Sequence, residues 1–90
     1  MKVNVRSIAI FRTVPPSMEL SVPEGTDVAG IVRHVSASYP EFGETLVTDG
    51  EIHGQIAVLR NGVSIRQRQG LASILEDGDE LFLAPMIDGG

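Results

Sequence analysis

Ile56-Ala57-Val58-Leu59-Arg60, then Asn61-Gly62, then Val63-Ser64-Ile65 is the stretch on which the fold turns. β-branched and large apolar residues flank an Asn-Gly pair. That pair is the preferred occupant of a type I′ turn, because both central residues need positive φ. A β-hairpin is therefore expected here, and alternation sets its faces. If Ile56 and Val58 point into a core, Ala57 and Leu59 point out of it.

Toward the C-terminus, Gly70–Leu75 reads as one helical turn with Leu71, Ile74 and Leu75 tucked inward. Asp77-Gly78-Asp79 is a tight turn, and Glu80–Ala84 is a last strand with Leu81 and Leu83 inward and Phe82 outward. Pro85 stops it. The carboxylates Glu76, Asp77, Asp79 and Glu80 read as a solvated charge run around that turn.

Toward the N-terminus, residues 2–11 read as a strand. Val3, Val5, Ala9 and Phe11 form an apolar row interrupted by Ser7, while Ile8 and Ile10 make its second half apolar on both faces. Pro15-Pro16 breaks pairing. Ser17–Val22 follows as a strand, alternating Met18, Leu20 and Val22 against Ser17, Glu19 and Ser21. After Pro23-Glu24-Gly25, Thr26 is the expected helix N-cap, with Asp27 adding negative charge at the positive end of the dipole. The helix is expected to run to about Ser38, with Val28, Ile31, Val32, Val35 and Tyr39 on one stripe and Pro40 marking its end. Phe42, Leu46 and Val47 allow a short helical turn; Thr48-Asp49-Gly50 and Gly54 read as loop.

Strand, strand, helix, strand, strand, short turn, strand is an α+β roll, with the helix across one sheet face. The other face is left partly in solvent. Leu59 and Phe82, with Ile8 and Ile10, are expected to form an apolar patch there that docks on a partner.

The 90 residues, 42% of them hydrophobic, allow one core and no second domain. There is no cysteine, which removes disulfides, thiolate metal sites, iron–sulfur clusters and a cysteine nucleophile together. A net charge of −5, no tryptophan and few aromatics argue against nucleic acid and anionic membranes as partners. Ile8-Ala9-Ile10-Phe11 is too short for a signal sequence, and no stretch approaches the length of a membrane helix. The expected location is the cytoplasm. His34 and His53 lack companions at metal-ligand spacing, and no G-x-S-x-G, H-E-x-x-H or phosphate-binding glycine loop occurs. The chain is expected to be no enzyme, with no cofactor and no metal of its own.

The terminal Gly89-Gly90 carries chemistry instead. With ten glycines in the chain, such a pair is roughly a one-in-eighty coincidence. Two residues without Cβ thread a narrow channel and adopt angles closed to others. The Gly90 carboxylate is a poor electrophile until it is coupled to AMP, a step that needs a partner enzyme holding ATP and Mg²⁺.

Val58-Leu59-Arg60-Asn61-Gly62, Gly70-Leu71-Ala72, Asp77-Gly78-Asp79-Glu80 and Gly89-Gly90, in this order and spacing, resemble the ThiS/MoaD superfamily of ubiquitin-like sulfur carriers. The resemblance implies a β-grasp fold over residues 1–85. It implies a mixed sheet of about four to five strands, one main helix on one face, and a flexible tail over 86–90. It further implies adenylation of Gly90 by a ubiquitin-activating-type enzyme, with Gly89 giving clearance. A sulfur donor would then replace AMP to leave a thiocarboxylate. The acceptor would be an enzyme such as a molybdopterin synthase large subunit or a cysteine synthase, and this chain could then act as the small subunit of such a complex. Related archaeal members are attached to lysines of other proteins, so a protein modifier is the alternative reading. A plain β-grasp interaction domain is the third. MoaD-type tails resemble Pro-Pro-Val-small-Gly-Gly. Here Pro85, Met86, Ile87 and Asp88 precede the glycines, and these four are the expected tail contacts with a partner.

Overall fold

Asn61 and Gly62 have φ of 49° and 85°, the left-handed pair that a type I′ turn requires. They join β5 to β6 in an element order of β1 (Lys2–Ser7), β2 (Ser17–Ser21), α1 (Val28–Ser36), α2 (Pro40–Leu46), β3 (Val47–Thr48), β4 (Glu51–Ile52), β5 (Ile56–Arg60), β6 (Val63–Ser64) and β7 (Glu80–Pro85). A 3₁₀ turn at Gly70–Ala72 precedes β7. The computed structural model describes residues 1–66 and 69–86.

Five strands form one mixed sheet in the order β2-β1-β7-β5-β6. β1 and β7 are parallel; the other neighbours are antiparallel. The last long strand in sequence is thus the middle strand in space. Val3 and Val5, Ile56 and Val58, and Leu81 and Leu83 all point to one face and are buried there. α1 covers them with Val28, Ile31, Val32 and Val35, the stripe its spacing predicts. The inward and outward sets on β5 and β7 are those that alternation predicts.

Several boundaries differ from the sequence reading. β1 ends at Ser7 rather than Phe11, because Ala9 has φ of 57° and turns the chain away from the sheet. The helix N-cap is Asp27, whose carboxylate accepts from the Gly30 N–H at 2.8 Å; the Thr26 hydroxyl donates to the Pro23 carbonyl instead. α1 stops at Ser36, and Pro40 opens α2 rather than closing α1, as its missing N–H permits at a first helical turn. Gly43 sits where an added Cβ would lie 2.7 Å from the Ser36 hydroxyl, so a residue without one lets α2 close on α1. The Thr48–Gly50 segment is the tip of a second small hairpin, β3–β4. Leu75 is buried as expected, but Ile74 is 58% exposed, since the backbone at Asp27 and Ile74 forms a bridge that turns its side chain out.

The loop between β1 and β2 is tied down from the helical side. Phe11 stacks on Phe42 with ring centroids 5.1 Å apart. The Glu41 carboxylate accepts from the backbone N–H groups of Arg12 and Thr13 and from the Thr13 hydroxyl, at 2.7 to 2.9 Å. The Thr13 and Arg12 amides hold Glu41 below the ordinary carboxylate range, against the opposing effect of desolvation.

Candidate functional site

β7 leads directly into the terminal segment, and both of its edges are occupied. Along β1 the register is Asn4 with Glu80, Val5 with Leu81, Arg6 with Phe82 and Ser7 with Leu83, and the Ile8 N–H then reaches the Leu83 carbonyl at 3.1 Å. Along β5, Ala57 faces Ala84 and Ile56 faces Pro85. Pro85 stands at a position of this ladder that exchanges no hydrogen bonds, so its missing N–H costs nothing against β5. The next residue pairs again: the Met86 N–H donates to the Gln55 carbonyl at 2.8 Å. Pro85 and Met86 are both exposed, and strand pairing extends to Met86, where the sequence alone offered no pairing partner for the tail. The remaining tail residues singled out above, Ile87, Asp88, Gly89 and Gly90, lie outside the described residues.

The sheet face away from α1 carries Lys2, Asn4 and Arg6 from β1, Glu80, Phe82 and Ala84 from β7, and Ala57 and Leu59 from β5. Leu59 lies directly across from Phe82, and Ala57 from Ala84. These four make an apolar centre in a polar surround. The Arg6 guanidinium sits 5.4 Å from the Phe82 ring centroid, within cation–π range, and lies 3.5 Å from the Glu80 carboxylate. Ile8 is 55% exposed at the end of β1. Ile10 does not join the patch. Beyond the turn at Ala9 it packs against the core, and it lines a small hollow of about 220 Å³ beside Thr45, His53 and Pro85.

His34 is exposed on α1, and the His53 Nδ1 accepts the Gln55 N–H at 3.0 Å. Among the described residues no group of three or more His, Cys, Asp or Glu is placed to hold a metal. Among them, too, no helix is long and apolar enough to cross a membrane.

Two features escaped the sequence reading. Asp79 is not a member of a solvated charge run; it is buried and accepts from the Arg60 Nε, the Asn61 Nδ2 and the Glu76 N–H at 2.8 to 2.9 Å. The available signal was the Asn61 hairpin tip, which a turn such as Asp77-Gly78-Asp79 can bind with a carboxylate. Arg66 donates its Nη2 to the carbonyls of His53 and Ile56 at 2.8 and 2.7 Å. Nothing in its sequence context marks that contact.

The model of the ThiS family matches residues 5–90. Small archaeal modifier protein 3 of Haloferax volcanii is 32% identical over 92 residues, with all of both chains covered. The sulfur carrier protein CysO of Mycobacterium tuberculosis is 25% identical over 93 residues, again with full coverage of both. In the crystal structure of the Amycolatopsis orientalis BexX/CysO complex, the matching chain superposes with a TM-score of 0.80 at 28% identity, covering 98% of this chain and 99% of that one. SAMP1 of Haloferax volcanii superposes with a TM-score of 0.78 at 25% identity over all of both chains. The fold is the β-grasp of these proteins.

Proposed function

Because the chain belongs to the ThiS family, whose members are small carriers and modifiers rather than catalysts, we propose that it is a sulfur carrier and that the Gly90 carboxylate is its reacting group. The observation that carries this reading is the family match, which runs through Gly89-Gly90 to residue 90. The strand pairing of Met86 supports it, since four residues beyond a fixed point span at most roughly 14 Å into a partner's site.

In the proposed chemistry, a carboxylate oxygen of Gly90 attacks the α-phosphorus of ATP held with Mg²⁺ by an adenylating enzyme, and pyrophosphate leaves. A hydrosulfide equivalent from a sulfur donor then attacks the carbonyl carbon. AMP departs with the bonding pair, and a thiocarboxylate remains for an acceptor enzyme. This chain supplies the acyl group and its presentation, and the partner supplies ATP, metal and proton handling. The test is the intact mass of the protein after incubation with its adenylating enzyme, ATP and a sulfur donor. Replacement of one terminal oxygen by sulfur is expected; an unchanged mass with an active enzyme overturns the reading.

The 32% identity to a protein named as a modifier favours a second reading from the same adenylate, in which a lysine amine displaces AMP and an isopeptide forms. Conjugates of larger mass on an immunoblot of native cells would separate it from the carrier. Lys2 is the chain's only lysine, so conjugates between copies have one side-chain amine to use.

The apolar centre of the outer sheet face is the proposed docking surface for the adenylating enzyme. Phe82→Ala removes its largest side chain while leaving the inward residues in place. Partner affinity should fall by about 1–3 kcal/mol in titration calorimetry, with the melting temperature little changed. Unchanged affinity would move the docking surface elsewhere.

A further inference from the structure

We propose that Arg66 is a positioning residue for Met86, the residue from which the terminal segment continues. This inference rests on the carrier reading above for its functional consequence, though not for its geometry. β5 is held on one edge by β7 and on the other by β6, which is only two residues long. Past β6, the Ile65 N–H takes the Val58 carbonyl at 3.1 Å. Two residues further along the same edge, the Ile56 carbonyl points the same way, and there it is Arg66 Nη2 that binds it, at 2.7 Å. The same nitrogen reaches the His53 carbonyl at 2.8 Å, closing the 53–56 turn in which the Ile56 N–H also donates to that carbonyl at 3.1 Å. A side chain thus continues the ladder where the strand has ended.

The opposite edge of this tip is where Met86 is held. Gln55 lies inside the turn that Arg66 closes, and its carbonyl accepts the Met86 N–H. Its own N–H is turned to His53 Nδ1, so the single bond that the Gln55 carbonyl accepts is what fixes Met86 there. If the 53–56 turn frays, that bond goes with it, and the last strand pairing with β5 before residue 87 moves back to Ala84, since Pro85 has no N–H to offer. Guanidinium to carbonyl bonds are charge-assisted, so the clamp is stronger than an ordinary turn contact. Arg66 forms no ion pair with a described carboxylate within 4 Å, so these backbone bonds account for its placement.

The test compares wild type, Arg66→Ala and Arg66→Lys as full chains, by amide hydrogen exchange in NMR and by ATP–pyrophosphate exchange with the adenylating enzyme. In Arg66→Ala the Met86 amide should exchange about tenfold faster, the effect of losing one hydrogen bond's protection. Core amides such as that of Leu83 should not change. An ammonium can still reach a carbonyl, so Arg66→Lys should recover part of the protection. In the enzyme assay the KM for the carrier should rise severalfold in Arg66→Ala with kcat near wild type, because the carboxylate is unaltered and only its delivery is loosened. A Met86 amide unprotected in wild type, or equally protected in Arg66→Ala, overturns the proposal. So does lost protection with an unchanged KM. If wild type itself supports no pyrophosphate exchange, the carrier reading fails, while the Met86 amide still decides whether Arg66 holds the root.

Discussion

Asp79→Ala should destabilise the protein by about 2–4 kcal/mol, the largest effect expected of any single polar side chain among those described. Asp79 is 7% exposed, and its two oxygens collect three donors from two separate parts of the chain. Arg60 and Asn61 come from the end of β5 and its turn; the Glu76 N–H comes from the turn that enters β7. The Asp79 carbonyl also accepts the Asn4 N–H from β1 at 2.9 Å. One residue therefore ties the hairpin tip to the two central strands. Alanine would leave the Arg60 Nε–H, the Asn61 amide and a backbone N–H without their acceptor, with Arg60 keeping only its 3.3 Å contact to the exposed Glu76 carboxylate. For a chain of this size the melting temperature should drop by on the order of 10–20 °C. A drop of only a few degrees in scanning calorimetry would show that water replaces the carboxylate cheaply.

The same residue sets a pH dependence whose sign is fixed. Burial raises the Asp79 pKa, but the Glu76 N–H, the Asn61 amide and the Arg60 guanidinium outweigh it, so the carboxyl lies below its ordinary value. A depressed folded-state pKa gives stability that is fully present above the unfolded value of about 4 and is lost as pH falls through the folded one. Asp79→Asn lacks that titration. Its stability should therefore lie below wild type at neutral pH, and the gap should narrow in acid. Both variants lie at the end of β7 remote from Met86, so activity per folded molecule should survive.

How far the sequence foretold this arrangement depends on the range of the interactions involved. The β5–β6 hairpin was legible because Asn61-Gly62 specifies its own dihedrals. The inward set of α1 was legible because period 3.6 is local. Leu59 and Phe82 were placed on one face by alternation, and the structure adds that they are direct neighbours. Ile10 was misplaced because the strand does not outlast Ser7. Ala9 in a left-handed conformation is the cause, and alanine gives no sign of it. Asp79 and Arg66 were missed for a common reason. Each earns its place from partners distant in sequence, 18 or 19 residues away for two of the three donors to Asp79 and 10 or 13 for the acceptors of Arg66. The residue order showed a charge run and gave Arg66 no role, and only the parallel pairing of β1 with β7 and the shortness of β6 turn these into a hub and a clamp.

Deleting Gly90 should reduce ATP–pyrophosphate exchange with the cognate adenylating enzyme at least a hundredfold. Attack on the α-phosphorus needs the carboxylate oxygen at near-contact distance and in line, and a displacement of 1 Å already costs about a hundredfold. Removing or adding one residue moves the carboxyl carbon by up to about 3.5 Å. A chain extended by one residue should therefore fail as the deleted one does, though it still ends in a carboxylate. Gly89→Val keeps the length and the terminal group but adds a β-branched side chain next to the reacting end and narrows the backbone angles open there. It should fail for steric reasons, with KM and kcat both affected. All three changes lie beyond β7 in sequence and remove none of the core contacts of Leu81 and Leu83. Their melting temperatures should therefore match wild type within a degree or so, in contrast to Asp79→Ala. That contrast separates lost chemistry from lost folding: Asp79→Ala melts early but exchanges while folded, whereas the Gly90 deletion melts normally and does not exchange. If the Gly90-deleted chain exchanges as fast as wild type, the acyl group is not at residue 90, and both the carrier and the modifier readings fall with it.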